Sequence, residues 1–250
     1  MALPASPKPL LLIIGALILA SILSLACRSD SVLIATDGSY HPFNFIDEST
    51  GEIDGLEREM GDELCRRANL ECEWTINEWE DMIPDLRAEE FDAIIAGMSI
   101  TPERDQLIDF TDPYYPPSPS VYLARTGAGD SAAQGIVGAM EETIHSDYFQ
   151  ATGREYVGFD DPDGRLEALF SGEIDAILVD RGYAIEKFTE LEGRIAIVGP
   201  EVPLDEGLGI GVREDSPLRE RFNEAIASMK EDGTLNDLLR KWVGEESDTF

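Results

Sequence analysis

Basic side chains are scarce in this 250-residue chain. It holds four lysines, and 19 lysines and arginines together against 51 aspartates and glutamates, for a formal charge of −32. Such a surface repels polyphosphate, which excludes nucleic acid as a partner and argues against docking on anionic lipid. Histidine is nearly absent: His41 and His145 lie far in sequence from the Cys65/Cys72 pair, so no zinc site is expected. Cysteine is limited to Cys27, Cys65 and Cys72. Beyond residue 26 no apolar run is long enough to span a bilayer. The acids are spread along the whole chain, as on a solvated surface and unlike a disordered tail. Their mutual repulsion is worst in dilute salt, so a saline habitat is expected.

The first residues read as targeting. Lys8 precedes an apolar stretch, residues 10–25, which closes on Leu25-Ala26-Cys27. That length and those small residues fit a secretory signal over residues 1–26, with Cys27 resembling a bacterial lipobox cysteine that is lipidated and becomes the mature N-terminus. An uncleaved N-terminal anchor is the alternative, and either places the rest of the chain outside the cytoplasmic membrane, at the periplasm or cell surface. With Cys27 lipidated, Cys65 and Cys72 remain, and a pair in an exported protein reads as a disulfide joining a helix end to the next strand.

The mature part alternates strands and helices. Residues 32–36 read as a strand ending in an Asp-Gly-Ser turn. Leu56, Met60, Leu64 and Ala68, four apart, predict an amphipathic helix over 56–69. A strand over 70–76, a helix over 79–89 and a buried strand over 91–96 follow. The same grammar restarts with strands at 136–139, 156–159, 176–179 and 195–198, and helices around 166–170 and 183–191 between them. Residues 121–124 read as an extended run between the units, and a second crossing is expected near Pro203 to Gly207. The expectation is an α/β protein of two lobes joined by two crossing segments. Lobe one would hold residues 27–122 and 207–250, closed by two C-terminal helices, and lobe two residues 123–206.

Four stretches carry a resemblance: Thr-Asp-Gly-Ser-Tyr-His-Pro-Phe (36–43), Phe-Asp-Ala-Ile-Ile-Ala-Gly-Met-Ser-Ile-Thr-Pro-Glu-Arg (91–104), Asp-Phe-Thr-Asp-Pro-Tyr-Tyr (109–115) and Lys-Glu-Asp-Gly-Thr-Leu (230–235). Together they resemble the bacterial family 3 solute-binding proteins, the periplasmic polar amino-acid-binding components of ABC transporters. The Cys65–Cys72 spacing looks like the lysine/arginine/ornithine/histidine-binding branch. The resemblance implies a type II periplasmic binding fold that closes on its ligand at a hinge, an amino-acid ligand, a membrane permease as partner, a monomer, no catalysis and no cofactor. A zwitterion needs a cation for its carboxylate and an anion for its ammonium, and an arginine fork suits the former. By resemblance Arg104 clamps the α-carboxylate, with Ser99 and the backbone at Gly97 beside it. Free N–H groups of a helix starting at Pro102 would add to that site. Asp180, after the apolar run 176–179, would take the α-ammonium; a helix N-cap is its alternative role. Tyr40 and Trp79 would flank the ligand side chain, or simply pack in the core. Asp37 would pair with a cationic side chain, or simply serve its turn.

The second lobe departs from the pattern. Residues 126–135 are short and lack the usual helix, and the usual Gly-Thr-Thr loop reads Glu141-Glu142-Thr143-Ile144. Thr143 survives as a ligand-binding candidate, while Glu142 replaces glycine. Two carboxylates there would repel an ordinary amino acid unless they point outward, or would suit a ligand with extra positive charge. Glu141 or Glu142 could also serve as the acid of a related cyclohexadienyl or arogenate dehydratase, and a sensory lipoprotein with a degenerate cleft is a third reading. Gly207-Leu-Gly-Ile-Gly lacks the context of a dinucleotide loop, Asp160-Asp-Pro-Asp-Gly lacks the calcium-loop pattern and reads as a helix cap, and no nucleophile elbow is present.

Overall fold

The computed structural model describes residues 31–191, 193–245 and 247–250. Cys27 and the targeting segment fall outside these residues. Two five-stranded sheets, each covered by helices on both faces, form two lobes.

The first lobe begins with β1 (Ser31–Thr36), then a small antiparallel sheet of β2 (Ser39–Tyr40), β3 (Asn44–Ile46) and β4 (Ile53–Asp54). Helix α1 (Leu56–Ala68) follows, burying Leu56, Met60 and Leu64 as their spacing requires. It ends at Asn69 in the left-handed conformation, a position asparagine tolerates. The chain then enters β5 (Glu71–Ile76), and the disulfide Cys65–Cys72 ties the helix end to that strand, Cα to Cα 6.2 Å.

The helix expected over 79–89 is shorter. A 3-10 turn, Trp79–Asp81, leads into α2 (Met82–Arg87). Pro84 has no N–H to extend hydrogen bonding backwards, so it sits in the first turn. Strand β6 pairs over Ala93–Ile94 alone, narrower than expected, although Asp92 N–H still donates to Leu33 O (2.8 Å) and Ile95 N–H to Ala35 O (3.0 Å). Strand β7 (Asp109–Phe110) is the last of this segment.

Strand β8 (Ser120–Arg125) corrects one expectation: it is an integral strand of the second sheet and no spacer between units. The boundary expected between residues 122 and 123 falls inside it, and the chain crosses earlier, through the proline-rich Pro116-Pro117-Ser118-Pro119. A short 3-10 helix, Asp130–Gln134, occupies the stretch expected to have none. Strand β9 (Val137–Met140), α3 (Ile144–Thr152), β10 (Val157–Phe159), α4 (Pro162–Ser171), β11 (Ala176–Val179), α5 (Arg181–Glu190) and β12 (Ile195–Val202) complete the lobe. Return to the first lobe is marked by bridges from Leu208 to Ser99 and Tyr115. Strand β13 (Gly211–Val212), α6 (Leu218–Glu231) and α7 (Thr234–Val243) finish it, the two helices packing on α1.

The strand orders are β5-β1-β6-β13-β7 and β10-β9-β11-β8-β12. In each, three parallel strands are followed by a fourth running antiparallel, β13 or β8. In β11, Ala176 and Leu178 enter the core on one face while Ile177 and Val179 enter that on the other, so its run of apolar residues is buried on both sides. No helix among the described residues is long and apolar enough to cross a membrane.

Candidate functional site

Between the lobes lies a cavity of about 600 Å³, reached from the carboxyl ends of β1, β6, β9 and β11, where ligands of parallel sheets collect. All eight ligand-binding candidates border it: Asp37, Tyr40, Trp79, Gly97, Ser99, Arg104, Thr143 and Asp180.

The first lobe's wall rests on Glu57, a fully buried carboxylate of α1 that no sequence motif announced. Its oxygens accept from the Tyr114 hydroxyl, from Asn44 Nδ2 (2.8 Å) and from Gly97 N–H (2.7 Å). Burial pushes its carboxyl up to about 7, and these three donors hold it from rising further. Backbone at Gly97 was expected beside the ligand, and its N–H is committed to Glu57. Gly97 has another role: at φ +61°, a Cβ there would lie 2.7 Å from the Tyr40 ring. Absence of a side chain lets Tyr40 lie on this loop while stacking on Phe43 at 4.9 Å.

Asp37 follows β1. Its Oδ2 accepts from the Ser39 hydroxyl (2.5 Å), whereas Oδ1 is buried with no partner. The turn does not need this carboxylate, because Gly38 N–H donates to Asn44 Oδ1 (2.8 Å). Burial raises the proton affinity of Asp37, against the hydrogen bonds it accepts.

Arg104 donates from Nη1 to the Ser99 carbonyl (3.1 Å) and sits 5.3 Å from the Trp79 ring centre. Among the described residues no carboxylate lies within ion-pair distance of it. Burial lowers its pKa, with Asp147 and Asp180 acting in the opposite sense. The expected helix N-terminus beside it is only a 3-10 turn, Arg104–Gln106. Its first N–H groups are taken by Thr101: Arg104 N–H by the hydroxyl (3.3 Å) and Asp105 N–H by the carbonyl (2.9 Å).

Across the cavity, Asp180 holds the N-cap position of α5 but makes no side-chain cap. Its carboxylate accepts from the Tyr40 hydroxyl (2.8 Å), a bond between lobes. Burial, then Asp180, raises the Tyr40 pKa well above its ordinary value. Trp79 Nε1 donates to the Glu142 carbonyl (3.0 Å), a second interlobe bond, and His41 meets Glu186 at 2.8 Å, a third.

His145 is buried, with Nε2 3.0 Å from Ser120 Oγ and 3.6 Å from Asp180 Oδ1. Serine and aspartate meet the same ring nitrogen, so this trio cannot relay a proton as a hydrolase triad does through opposite nitrogens. Burial lowers the His145 pKa and Asp180 opposes that.

The acidic loop is explained by its backbone. Glu142 adopts φ +58°, the conformation glycine adopts most readily, and its side chain is exposed. Glu141 accepts from the Tyr156 hydroxyl (2.9 Å). Thr143 caps α3: its hydroxyl donates to Met140 O (2.8 Å) and accepts from His145 N–H, while its own N–H donates to Ser146 Oγ (3.1 Å). Both of its donors are thus engaged within the loop. Asp161 likewise caps α4, accepting from Gly164 N–H (2.7 Å), as the Asp-Asp-Pro-Asp-Gly cluster suggested.

Among the cavity residues that sequence reasoning missed are His145, Arg165, Tyr183 and Lys187. Their only signal was position, each within the first two turns of a helix that follows a parallel strand. No cluster of histidine, cysteine and acidic residues among the described residues could hold a metal ion.

The family model of bacterial extracellular solute-binding proteins, family 3, matches residues 32–245. The histidine-binding periplasmic protein of Escherichia coli is 32% identical, the match covering 87% of this chain and 89% of that protein. The ABC transporter arginine-binding protein 1 of Escherichia coli is 30% identical over 91% of this chain and 96% of the relative. Among solved structures, a periplasmic His/Glu/Gln/Arg/opine family-binding protein from Silicibacter pomeroyi, in complex with lysine, is 48% identical. It superimposes with a TM-score of 0.81, covering 88% of this chain and 100% of that one. The motifs, the two-lobe fold and these likenesses agree, and the chain belongs to the bacterial extracellular solute-binding proteins of family 3.

Proposed function

We propose that the protein captures a basic amino acid between its lobes and delivers it to an ABC transporter permease. The observation that carries this reading is the pair Arg104 and Asp180, opposite charges on opposite lobes of one cavity, with the guanidinium lacking a carboxylate partner. Arg104 takes the α-carboxylate, Asp180 the α-ammonium, and the unpartnered Oδ1 of Asp37 the side-chain cation. Tyr40 and Trp79 wall the aliphatic stem, and Ser99 supports Arg104. The wall is rich in carboxylates, with Glu78, Glu80 and Glu141 beside those already named, which favours a cationic ligand over a neutral one. Ligand bridging Arg104 to Asp180 stabilises the closed lobes, alongside the Tyr40–Asp180 and Trp79–Glu142 bonds. The reading includes a monomer tethered through lipid on Cys27, working in saline surroundings. It is a binding protein; Glu141 is already hydrogen-bonded to the Tyr156 hydroxyl and Glu142 is exposed, which disfavours either as a dehydratase acid.

Titration calorimetry against lysine, arginine, ornithine, histidine, glutamine and glutamate tests this. Basic amino acids are expected to bind more tightly than the others. A preference for glutamate, or no binding of any amino acid, would overturn it.

A further inference from the structure

Glu57 lies on the first turn of α1, fully buried and away from the cavity lining, and both of its carboxylate oxygens are in use. Oε1 accepts from Gly97 N–H (2.7 Å) and from the Tyr114 hydroxyl, and Oε2 accepts from Asn44 Nδ2 (2.8 Å). Asn44, itself buried, extends the network: its Oδ1 accepts from Gly38 N–H (2.8 Å). The main chain adds a further tie, Glu57 N–H donating to Phe43 O (2.8 Å). One arm of the network therefore ends at Gly38, the residue after Asp37. The other ends at Gly97, two residues before Ser99, whose carbonyl accepts from Arg104 Nη1 (3.1 Å). Burying a carboxylate among neutral donors is costly. An apolar side chain of similar volume would pack α1 at lower cost, but it could not hold two loops by their amides.

We infer that Glu57 is a positioning residue for ligand binding: without touching the ligand, it holds the anchor of the α-carboxylate, Arg104, and the anchor of the side-chain cation, Asp37, in one fixed relation. Each oxygen serves a different loop, so the pattern of donors and acceptors can be broken and rebuilt. Glu57→Gln keeps an acceptor for Gly97 and Tyr114 but turns an amide N–H toward Asn44 Nδ2. If Asn44 flips to accept it, the Asn44 amide nitrogen then faces Gly38 N–H, so one loop or the other carries a mismatch. Asn44→Asp alone sets two carboxylates against each other. Together the two changes restore every pair. The new amide donates to the new carboxylate, the other oxygen of that carboxylate accepts from Gly38 N–H, and the amide oxygen keeps Gly97 and Tyr114. The charge moves by one side chain and the connection between the loops stays.

This inference rests on the basic-amino-acid reading of the site, and one experiment separates the two. L-lysine and L-arginine are titrated calorimetrically into the wild-type protein, Glu57→Gln, Asn44→Asp and the double variant, each checked for a native melting transition. The buffer is held at about pH 8, above the Glu57 carboxyl's value of about 7. Each single variant is expected to bind about tenfold more weakly at unchanged stoichiometry, the scale of one unmatched buried polar group. The double variant should return to within about threefold of wild type. A loss that appears as fewer binding sites at wild-type affinity is the mark of a merely structural role and overturns the inference. Single variants that bind like wild type overturn it too, as does a double variant that stays as weak as the singles or does not fold. Should one single variant not fold, the other single and the double carry the comparison. Each of these outcomes leaves the amino-acid reading standing as long as the wild type binds. Binding of neither ligand by the wild type overturns both.

Discussion

The two walls of the cavity are built differently. The first lobe's wall comes from three contiguous stretches, residues 37–41, 78–80 and 96–104, the first and last joined through one buried carboxylate, Glu57. Most of its polar groups are satisfied by protein, and what remains for a ligand is the Arg104 fork and one oxygen of Asp37. The second lobe's wall gathers the first turns of three helices: Thr143 and His145 from α3, Arg165 from α4, Asp180 and Tyr183 from α5. It leaves Arg165 Nε and the Tyr183 hydroxyl unmatched. The contrast teaches that a wall built from contiguous motifs satisfies most of its own polar groups, whereas a wall gathered from separate helix starts leaves buried polar atoms unmatched.

The strongest way to break the comparison is to remove the shared anchor. Arg104→Ala should weaken lysine binding by a hundredfold or more in calorimetry, in line with about 2–5 kcal/mol for truncating one partner of a buried charge pair. Retained affinity would move recognition to the second wall. Next, replacing Cys65 and Cys72 by serine should cost about 2 kcal/mol of unfolding free energy in urea. The disulfide lies behind the first wall and away from the cavity, so lysine affinity should hold.

Glu57 tests whether the first wall depends on one titrating group. With its folded carboxyl near about 7 and an ordinary value of 4.5, the folded protein keeps a proton that the unfolded chain has lost between those two pH values. Its contribution to stability therefore falls as pH rises through that window. Glu57→Gln lacks this titration and mismatches Asn44, so it should melt below wild type near pH 5, with the gap narrowing toward pH 7.5. A constant gap would show that Glu57 is not the group responsible. The smallest effect is expected in the second wall: Glu142→Gly relieves the left-handed backbone at φ +58° and should change stability by no more than about +1 kcal/mol in thermal melts.

What could be read ahead of the structure follows the same division. The helix face Leu56, Met60 and Leu64, the buried strand at 176–179 and the eight candidates around the cavity were legible because each sits in a local pattern of period or motif. The residues 121–124 were misplaced as a spacer because an apolar run carries no mark of which sheet it joins; only pairing with β11 and β12 decides that. Gly97 was read for its backbone when its importance is the missing side chain under Tyr40, a contact 57 residues apart in sequence. Glu57 looked like one more acid on a helix, since nothing local says that Tyr114, Asn44 and Gly97 converge on it.

By itself, then, the sequence determined the class of fold, the family and the first wall of the site, since those depend on short-range periodicity and on contiguous motifs. Tertiary structure alone decided which polar groups are already satisfied and which still want a partner. Satisfaction of a hydrogen bond or a charge is a property of atoms brought together from distant parts of the chain, as Tyr114, Asn44 and Gly97 are around Glu57.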